Sequence, residues 1–363
     1  MTTKYILINY TGRKGAGAIF AYEMTKGLIQ CGAKVAAIIS ADIENLYDWE
    51  NLKLYKLLVI STYSDKLSYI KNSLFFGRRQ KKQIIEQFKN DKIDAIYCPM
   101  FCPWTNRINQ LFKGVPTYDT LHDPKPHSGE KWYVKLSWYK PTKNTSAIIV
   151  LSEKHIEYVG NKWGKPVLWI PHGRFNYYKD KYFKGFKASD KINFLFFGRL
   201  EHYKGLGVLA EAFKRVQNDM SQFTLTVAGP GNWSEYEKEY VGIRNFNIIN
   251  EWIDAQRINE LYSFENTVTV LPYLDASQSG VIPVAKEYMS PIIASATGGM
   301  SEQIIDGETG ILVPAGNAEK LAEAIKSVYY DFDKAKEMAK KAWERLDQYN
   351  WDKLALKLME NIK

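Results

Sequence analysis

Short apolar runs alternate with amphipathic stretches along nearly the whole chain. YILINY is followed by the helically spaced IFAYEMTKGLIQCG, then by VAAIIS, YKLLVIS and AIYCPM, and after these by VPTYDTLHD, AIIVLS and VLWIPHG. Strands that alternate with helices predict right-handed crossovers and a parallel sheet. The alternation breaks at the charged, aromatic stretch NYYKDKYFKGFKASDK and then starts afresh. INFLFFGRL reads as a strand, LGVLAEAFKRVQ as a helix, FTLTVAGPG and FNIINEWI as strands and INELYSF as a helix. TVTVLPY, PIIAS and GILVPA follow as strands, with the helix IPVAKEYM after the first of them. The apolar spacing of AEKLAEAIKSVYYDFDKAKEMAKKAWERLDQ and NWDKLALKLMENI makes the last segment helical. The fold class expected is α/β, with two doubly wound Rossmann-like domains over residues 1–172 and 173–340 and a C-terminal helix in 341–363 that crosses back to the first.

A length of 363 residues supports two domains, and 45% apolar with 25% charged residues is ordinary for a globular protein. Cys31, Cys98 and Cys102 cannot all pair, and the chain opens on a strand without a basic leader and apolar signal segment. A reducing cytoplasmic setting is therefore expected. CPMFC lacks a second ligand pair, so buried thiols are preferred there to a metal. No apolar run is long enough to span a bilayer.

The net charge of +9 is unevenly placed. Residues 1–170 hold 25 Lys and Arg against 14 Asp and Glu, so the basic excess lies in the first half. That half is expected to face something anionic. SLFFGRRQKKQ sets Phe75 and Phe76 beside Arg78, Arg79, Lys81 and Lys82. KWYVKLSWYK interleaves Trp132, Tyr133, Trp138 and Tyr139 with Lys131, Lys135 and Lys140. Cations among interfacial aromatics suit an anionic membrane surface, against the alternative of a solvated face over core aromatics. No nucleic-acid-binding motif accompanies the charge.

Two tandem doubly wound domains place their ligand at the carboxyl ends of the strands. Five segments bear on that place. In TGRKGAGAIF, Gly15 and Gly17 lie between the first strand and its helix, where backbone N–H groups can meet an anion. The spacing departs from G-x-G-x-x-G and argues against a dinucleotide. In FFGRLEHYKG a strand ends at Gly198, Arg199 follows, and Lys204 opens the next helix. A planar fork and a point charge at a strand end can converge on one pyrophosphate. Gly229 in VAGPGNW ends a neighbouring strand. In DASQSGVIPVAKEYM, Ser279, Gly280 and Val281 open a helix with N–H groups that can hold a phosphate or a sugar hydroxyl. TLHDPKPHSGEKWY places His122 and Asp123 just after a strand, and His172 in WIPHG ends the first half as a hinge residue; His127 reads as surface.

Taken together, the Gly-rich first loop, GRLEHYKG, the PY before DASQSG, PIIASATGGMSE, DGETGILVP and the late YNW resemble the GT-B glycosyltransferases of family four. These are retaining enzymes that use UDP- or GDP-activated sugars, and the likeness covers nearly the whole chain. It implies that Arg199 and Lys204 stabilise the leaving diphosphate and that the basic domain faces the acceptor. It also implies that His122 meets the donor sugar's outer hydroxyls and that the backbone near Trp252 and Ile253 recognises the base. The family usually carries two glutamates with seven residues between them in the fourth segment. Here Ser277 and Ala285 fall in those places, as in a subset with SQSGVIP-like runs. Gln278 and Asp275 are then the candidates for the sugar, whereas Glu287 should face another way around its helix.

The activity so implied is hexosyl transfer, with retention, from a nucleotide sugar to a glycan or lipid-linked glycan in cell-surface polysaccharide or lipopolysaccharide synthesis. No metal or other cofactor is expected, since no Asp-x-Asp motif occurs in the second half. The place of work expected is the cytoplasm or the inner face of the plasma membrane. The rivals are a GT-B-shaped epimerase or phosphorylase and a non-enzymatic basic binding protein.

Overall fold

The structure, a computed structural model, describes residues 3–63, 79–125 and 139–362. Phe75, Phe76, Arg78, His127, Lys131, Trp132, Tyr133, Lys135 and Trp138 lie outside them. The chain forms two compact units, passing from the first to the second between Gly173 and Arg174 and returning between Gln348 and Tyr349.

The first unit is built on seven parallel strands, β1 (Tyr5–Tyr10), β2 (Lys34–Ser40), β3 (Lys56–Ile60), β4 (Ala95–Cys98), β5 (Thr117–Leu121), β6 (Thr145–Val150) and β7 (Val167–Trp169). They lie in the order β3-β2-β1-β4-β5-β6-β7. Every residue of β1 is buried, as a central strand covered on both faces requires. Its one polar residue, Asn9, donates to the Thr105 carbonyl and to Asn109 Oδ1. Among the described residues, the helices of this unit with seven residues or more are α1 (Ala16–Gln30), α2 (Arg79–Phe88) and α3 (Ile156–Trp163), together with the C-terminal helix.

In the second unit β8 (Ile192–Phe197), β9 (Phe223–Ala228), β10 (Phe246–Ile249), β11 (Thr267–Leu271), β12 (Ile292–Ser295) and β13 (Ile311–Val313) form a parallel sheet in the order β10-β9-β8-β11-β12-β13. Its helices are α4 (Asn176–Tyr182), α5 (Leu206–Val216), α6 (Ala255–Leu261), α7 (Val281–Glu287), α8 (Ala318–Tyr330) and α9 (Phe332–Glu344). The stretch NYYKDKY, expected to be a break between alternations, forms α4, because Tyr178 is buried and its carbonyl accepts from Asn259. The long segment after β13, expected to be helical, forms two helices. Asp331 ends the first and caps the second by accepting from the Lys334 N–H.

The last helix, α10 (Trp351–Asn361), lies in the first unit against α1. Gly27 admits it, since a Cβ there would sit 2.5 Å from the Trp351 carbonyl oxygen. The Tyr118 hydroxyl donates to the Asn361 carbonyl at 3.0 Å. Among the described residues no helix is long and apolar enough to cross a membrane.

Candidate functional site

In both sheets the strand order reverses beside the first strand, between β1 and β4 and between β8 and β11. At such a reversal the loops diverge to opposite faces and leave a crevice at the strands' carboxyl ends. In the second unit that crevice opens between Gly198–Arg199, after β8, and Pro272–Tyr273, after β11.

The two loops are joined by their backbones. The Leu274 N–H donates to the Tyr203 carbonyl at 2.8 Å, and Gly205 packs so closely that a Cβ would meet the Pro272 carbonyl oxygen at 1.9 Å. Lys204 crosses this seam, with Nζ 3.7 Å from the centroid of the Tyr273 ring. A cation over a buried phenol ring is held by the ring's quadrupole with its charge kept at the crevice. Arg199 is exposed, and its Nη2 lies 3.4 Å from the Tyr203 hydroxyl. Burial pushes the Tyr273 phenol up to about 12, so it stays neutral, with the Ser279 hydroxyl and the Arg199 guanidinium beside it. The two predicted cations are therefore brought to one place, steadied by two tyrosines that sequence reasoning did not single out.

The β9 loop stacks directly on this layer. A Cβ on Gly229 would lie 1.8 Å from the Gly198 carbonyl oxygen, so a glycine there allows one backbone to approach the other. Asn250 donates to the Gly229 and Gly231 carbonyls at 3.1 and 3.2 Å and ties the β10 loop to the same layer. In that loop Trp252 is 42% exposed while Ile253 is buried. Asp254 caps α6 by accepting from the Arg257 N–H.

Ser277, Gln278 and Ser279 lead into α7. Two of the three predicted N–H donors are engaged within the protein. The Ser279 N–H donates to Gln303 Oε1 at 2.9 Å and the Val281 N–H to Ser279 Oγ at 3.2 Å. Asp275 is half-buried next to Tyr203, with its N–H 3.5 Å from the Tyr203 carbonyl oxygen. Ala285 is fully buried. Glu287 points away from the crevice and accepts from Arg174 Nε and Nη2 at 2.7 and 2.9 Å. On the same helix burial pushes the Lys286 ammonium down to about 8, with the Arg345 charge adding to the effect.

Two histidines of the first unit, His122 and His172, stand beside Phe20 of α1. The rings of His122 and His172 stand edge-on to Phe20 at 4.8 and 5.4 Å, and the two imidazoles are 6.3 Å apart. His122 Nε2 lies 2.9 Å from the Pro99 carbonyl oxygen, which can only accept. The neutral ring therefore carries its proton on Nε2 and presents Nδ1 as an acceptor. Burial lowers the pKa of both rings, that of His172 to about 3, so each is neutral at physiological pH. Asp123 is exposed beside His122.

The Gly-rich loop already has partners. The Gly15 N–H donates to Glu44 Oε1 at 2.8 Å, and Gly17 makes room for Met100, whose sulfur would be 2.8 Å from a Cβ there. Cys98 and Cys102 are buried free thiols, and Cys31 is free and half-buried. Tyr139 is no surface aromatic, because its hydroxyl donates to the buried Asp119 at 2.7 Å. Arg79, Lys81 and Lys82 are exposed on α2, which turns Ile84 and Phe88 into the core.

Comparison with known proteins agrees with this architecture. Residues 178–345 match the family model of the glycosyl transferases group 1. An uncharacterized 41.2 kDa protein in the cps region of Klebsiella pneumoniae is 30% identical over 168 residues, which make up 45% of either chain. The chain spans about half the length, or somewhat less, of that relative and of most other curated relatives it matches. An uncharacterized glycosyltransferase of Methanocaldococcus jannaschii is 22% identical over 94% of this chain and 92% of its own. Anabaena HepE, solved in complex with UDP and glucose, has a TM-score of 0.73 over 98% of both chains at 16% identity. Residues 178–345 of this chain thus match the glycosyl transferases group 1 model, and the chain as a whole has the GT-B fold.

Proposed function

We propose that the protein transfers a hexosyl unit from a UDP- or GDP-sugar to a glycan or lipid-linked glycan acceptor, with retention, in the synthesis of a cell-surface polysaccharide or lipopolysaccharide. The observation that carries this reading is Lys204 lying across the β8–β11 crevice on the Tyr273 ring, with Arg199 at the same strand end. Two fixed cations there meet the negative charge that develops on a departing nucleoside diphosphate. The acceptor hydroxyl attacks the face from which the nucleotide leaves, and the leaving phosphate takes its proton. Arg199 and Lys204 supply the countercharge in this scheme, so no metal ion and no further cofactor takes part.

Gly198 and Gly229 let the backbone approach the donor, Trp252 and Ile253 border the base, and Gln278 and the Gly280 N–H meet the sugar and phosphate. His122 offers Nδ1 to a sugar hydroxyl and orients it without acid–base work. UDP bound to HepE supports UDP as the nucleotide, and the cps-region relative supports a polysaccharide product. The exposed cations of α2 support a peripheral place on the cytoplasmic face of the plasma membrane. The test is a panel of UDP- and GDP-sugars assayed for nucleotide release with and without glycan acceptors. The expected result is release from one sugar nucleotide that acceptor accelerates; a chain that binds and cleaves none of them is not this enzyme.

A further inference from the structure

Ser279 is held by two hydrogen bonds from outside its own loop. Gln303, at the end of the short helix Met300–Gln303, accepts from the Ser279 N–H at 2.9 Å and donates through Nε2 to the Ser279 carbonyl at 3.0 Å. The two bonds run in opposite directions, so they fix which end of the amide is oxygen and which is nitrogen. The Gln303 carbonyl in turn accepts from Lys286 Nζ at 2.6 Å. Lys286 lies on α7, the helix that Ser279 leads into, so the contacts close a ring from Ser279 along α7 to Gln303 and back. On the other side of Gln278, the Gly299 N–H donates to the Ser277 carbonyl at 3.0 Å. Gln278 is thus set between two fixed neighbours. Its amide oxygen is buried and has no hydrogen-bond partner among the described residues. A buried acceptor without a donor is costly to leave unsatisfied, and a ligand hydroxyl supplies what it lacks.

We propose that Gln303 is the positioning residue of the run Gln278–Gly280, its amide fixing the Ser279 backbone so that the Gln278 amide oxygen meets a hydroxyl of the donor sugar. This rests on the reading of the second unit as the nucleotide-sugar domain. It gives the chain a sugar contact built from two amides at a place where neither of the family's usual glutamates stands.

The test is calorimetric titration of the full-length protein with UDP, UDP-glucose, GDP and GDP-mannose. For the base that binds, Gln303→Met should weaken the sugar nucleotide about tenfold. The matching nucleoside diphosphate should change by less than about threefold, because the phosphate contacts of Arg199 and Lys204 remain. Gln278→Met should reproduce that selective loss, and the double variant should be no worse than either single one, because each removes the same contact. If Gln303→Met does not fold, Gln303→Glu replaces it; it keeps an acceptor for the Ser279 N–H, loses the donor to the carbonyl, and should show the same selective loss in smaller measure. Unchanged sugar-nucleotide affinity in the Gln303 variant, or losses that simply add in the double variant, overturns the proposal while leaving the nucleotide-sugar reading intact. If the unmodified protein binds none of the four probes, that reading falls and the proposal with it.

Discussion

Lys204 illustrates how little a single side chain's chemistry says until its neighbour is known. In sequence it is one cation among many, marked by lying five positions after Arg199 where a strand gives way to a helix and by the motif GRLEHYKG. In the fold it rests on Tyr273, a residue delivered by β11 from the far side of the sheet reversal. Lys204→Ala should reduce transfer on the order of 100-fold or more, the loss seen when one preorganised charge partner of a transition state is removed. The same variant should keep its thermal midpoint within about 3 °C, since the half-buried ammonium is not a core group. Near-normal turnover would remove Lys204 from the mechanism.

His172 makes a prediction of a different kind. Its folded pKa of about 3 lies below the ordinary 6.5, chiefly through burial and then through the neighbouring His122. Between those values the unfolded chain binds a proton that the folded chain does not, so stability falls as pH drops below 6.5. The contribution approaches 1.4 kcal/mol per pH unit, or roughly 2 kcal/mol between pH 6.5 and 5. Urea unfolding of the parent and of His172→Gln at pH 7 and pH 5 should show a smaller acid loss in the variant; identical losses would contradict the assignment.

At the scale of elements, the strands and most helices were legible because parallel strands buried on both faces leave near-continuous apolar runs. What failed was local and has local causes. α4 hid in a stretch rich in Lys and Tyr because the helix buries chiefly one aromatic, Tyr178. The division between α8 and α9 was signalled by an Asp three residues ahead of Lys334, a cap that apolar spacing alone does not register. The roles of Gln303 and Tyr273 were not legible for a deeper reason. Each acts on a residue far away in sequence, and nothing in an amide or a phenol announces its partner. Glu287, by contrast, was correctly expected to point away from the crevice, but its partner Arg174 was not foreseen. Its carboxylate is almost wholly buried and bidentate with Arg174. Arg174→Ala leaves that charge buried and unpaired and should lower the unfolding free energy by roughly 3 kcal/mol in urea titration. A loss below about 1 kcal/mol would show that solvent or another cation takes over.

For the whole molecule, the uneven charge was the feature most open to reading from composition, and the fold gives part of it a surface. Arg79, Lys81 and Lys82 stand on the exposed face of α2. Flotation with vesicles containing anionic lipid should carry the protein upward, and replacing these three residues by Ser should weaken binding on the order of 100-fold, at about 1 kcal/mol for each cation. Unchanged flotation would assign the charge to another role.

The backbone contacts around the crevice set limits on how this protein can change. Gly205 against Pro272, Gly229 against Gly198 and Gly298 against Ala276 are places where one added methyl would collide with a carbonyl oxygen at less than 2 Å. Evolution and engineering alike are therefore barred from these positions and left with the side chains hung between them. A library meant to alter the sugar under the proposed function should hold the three glycines constant and diversify Trp252, Asp275 and Gln278, because the frame is rigid where it touches itself.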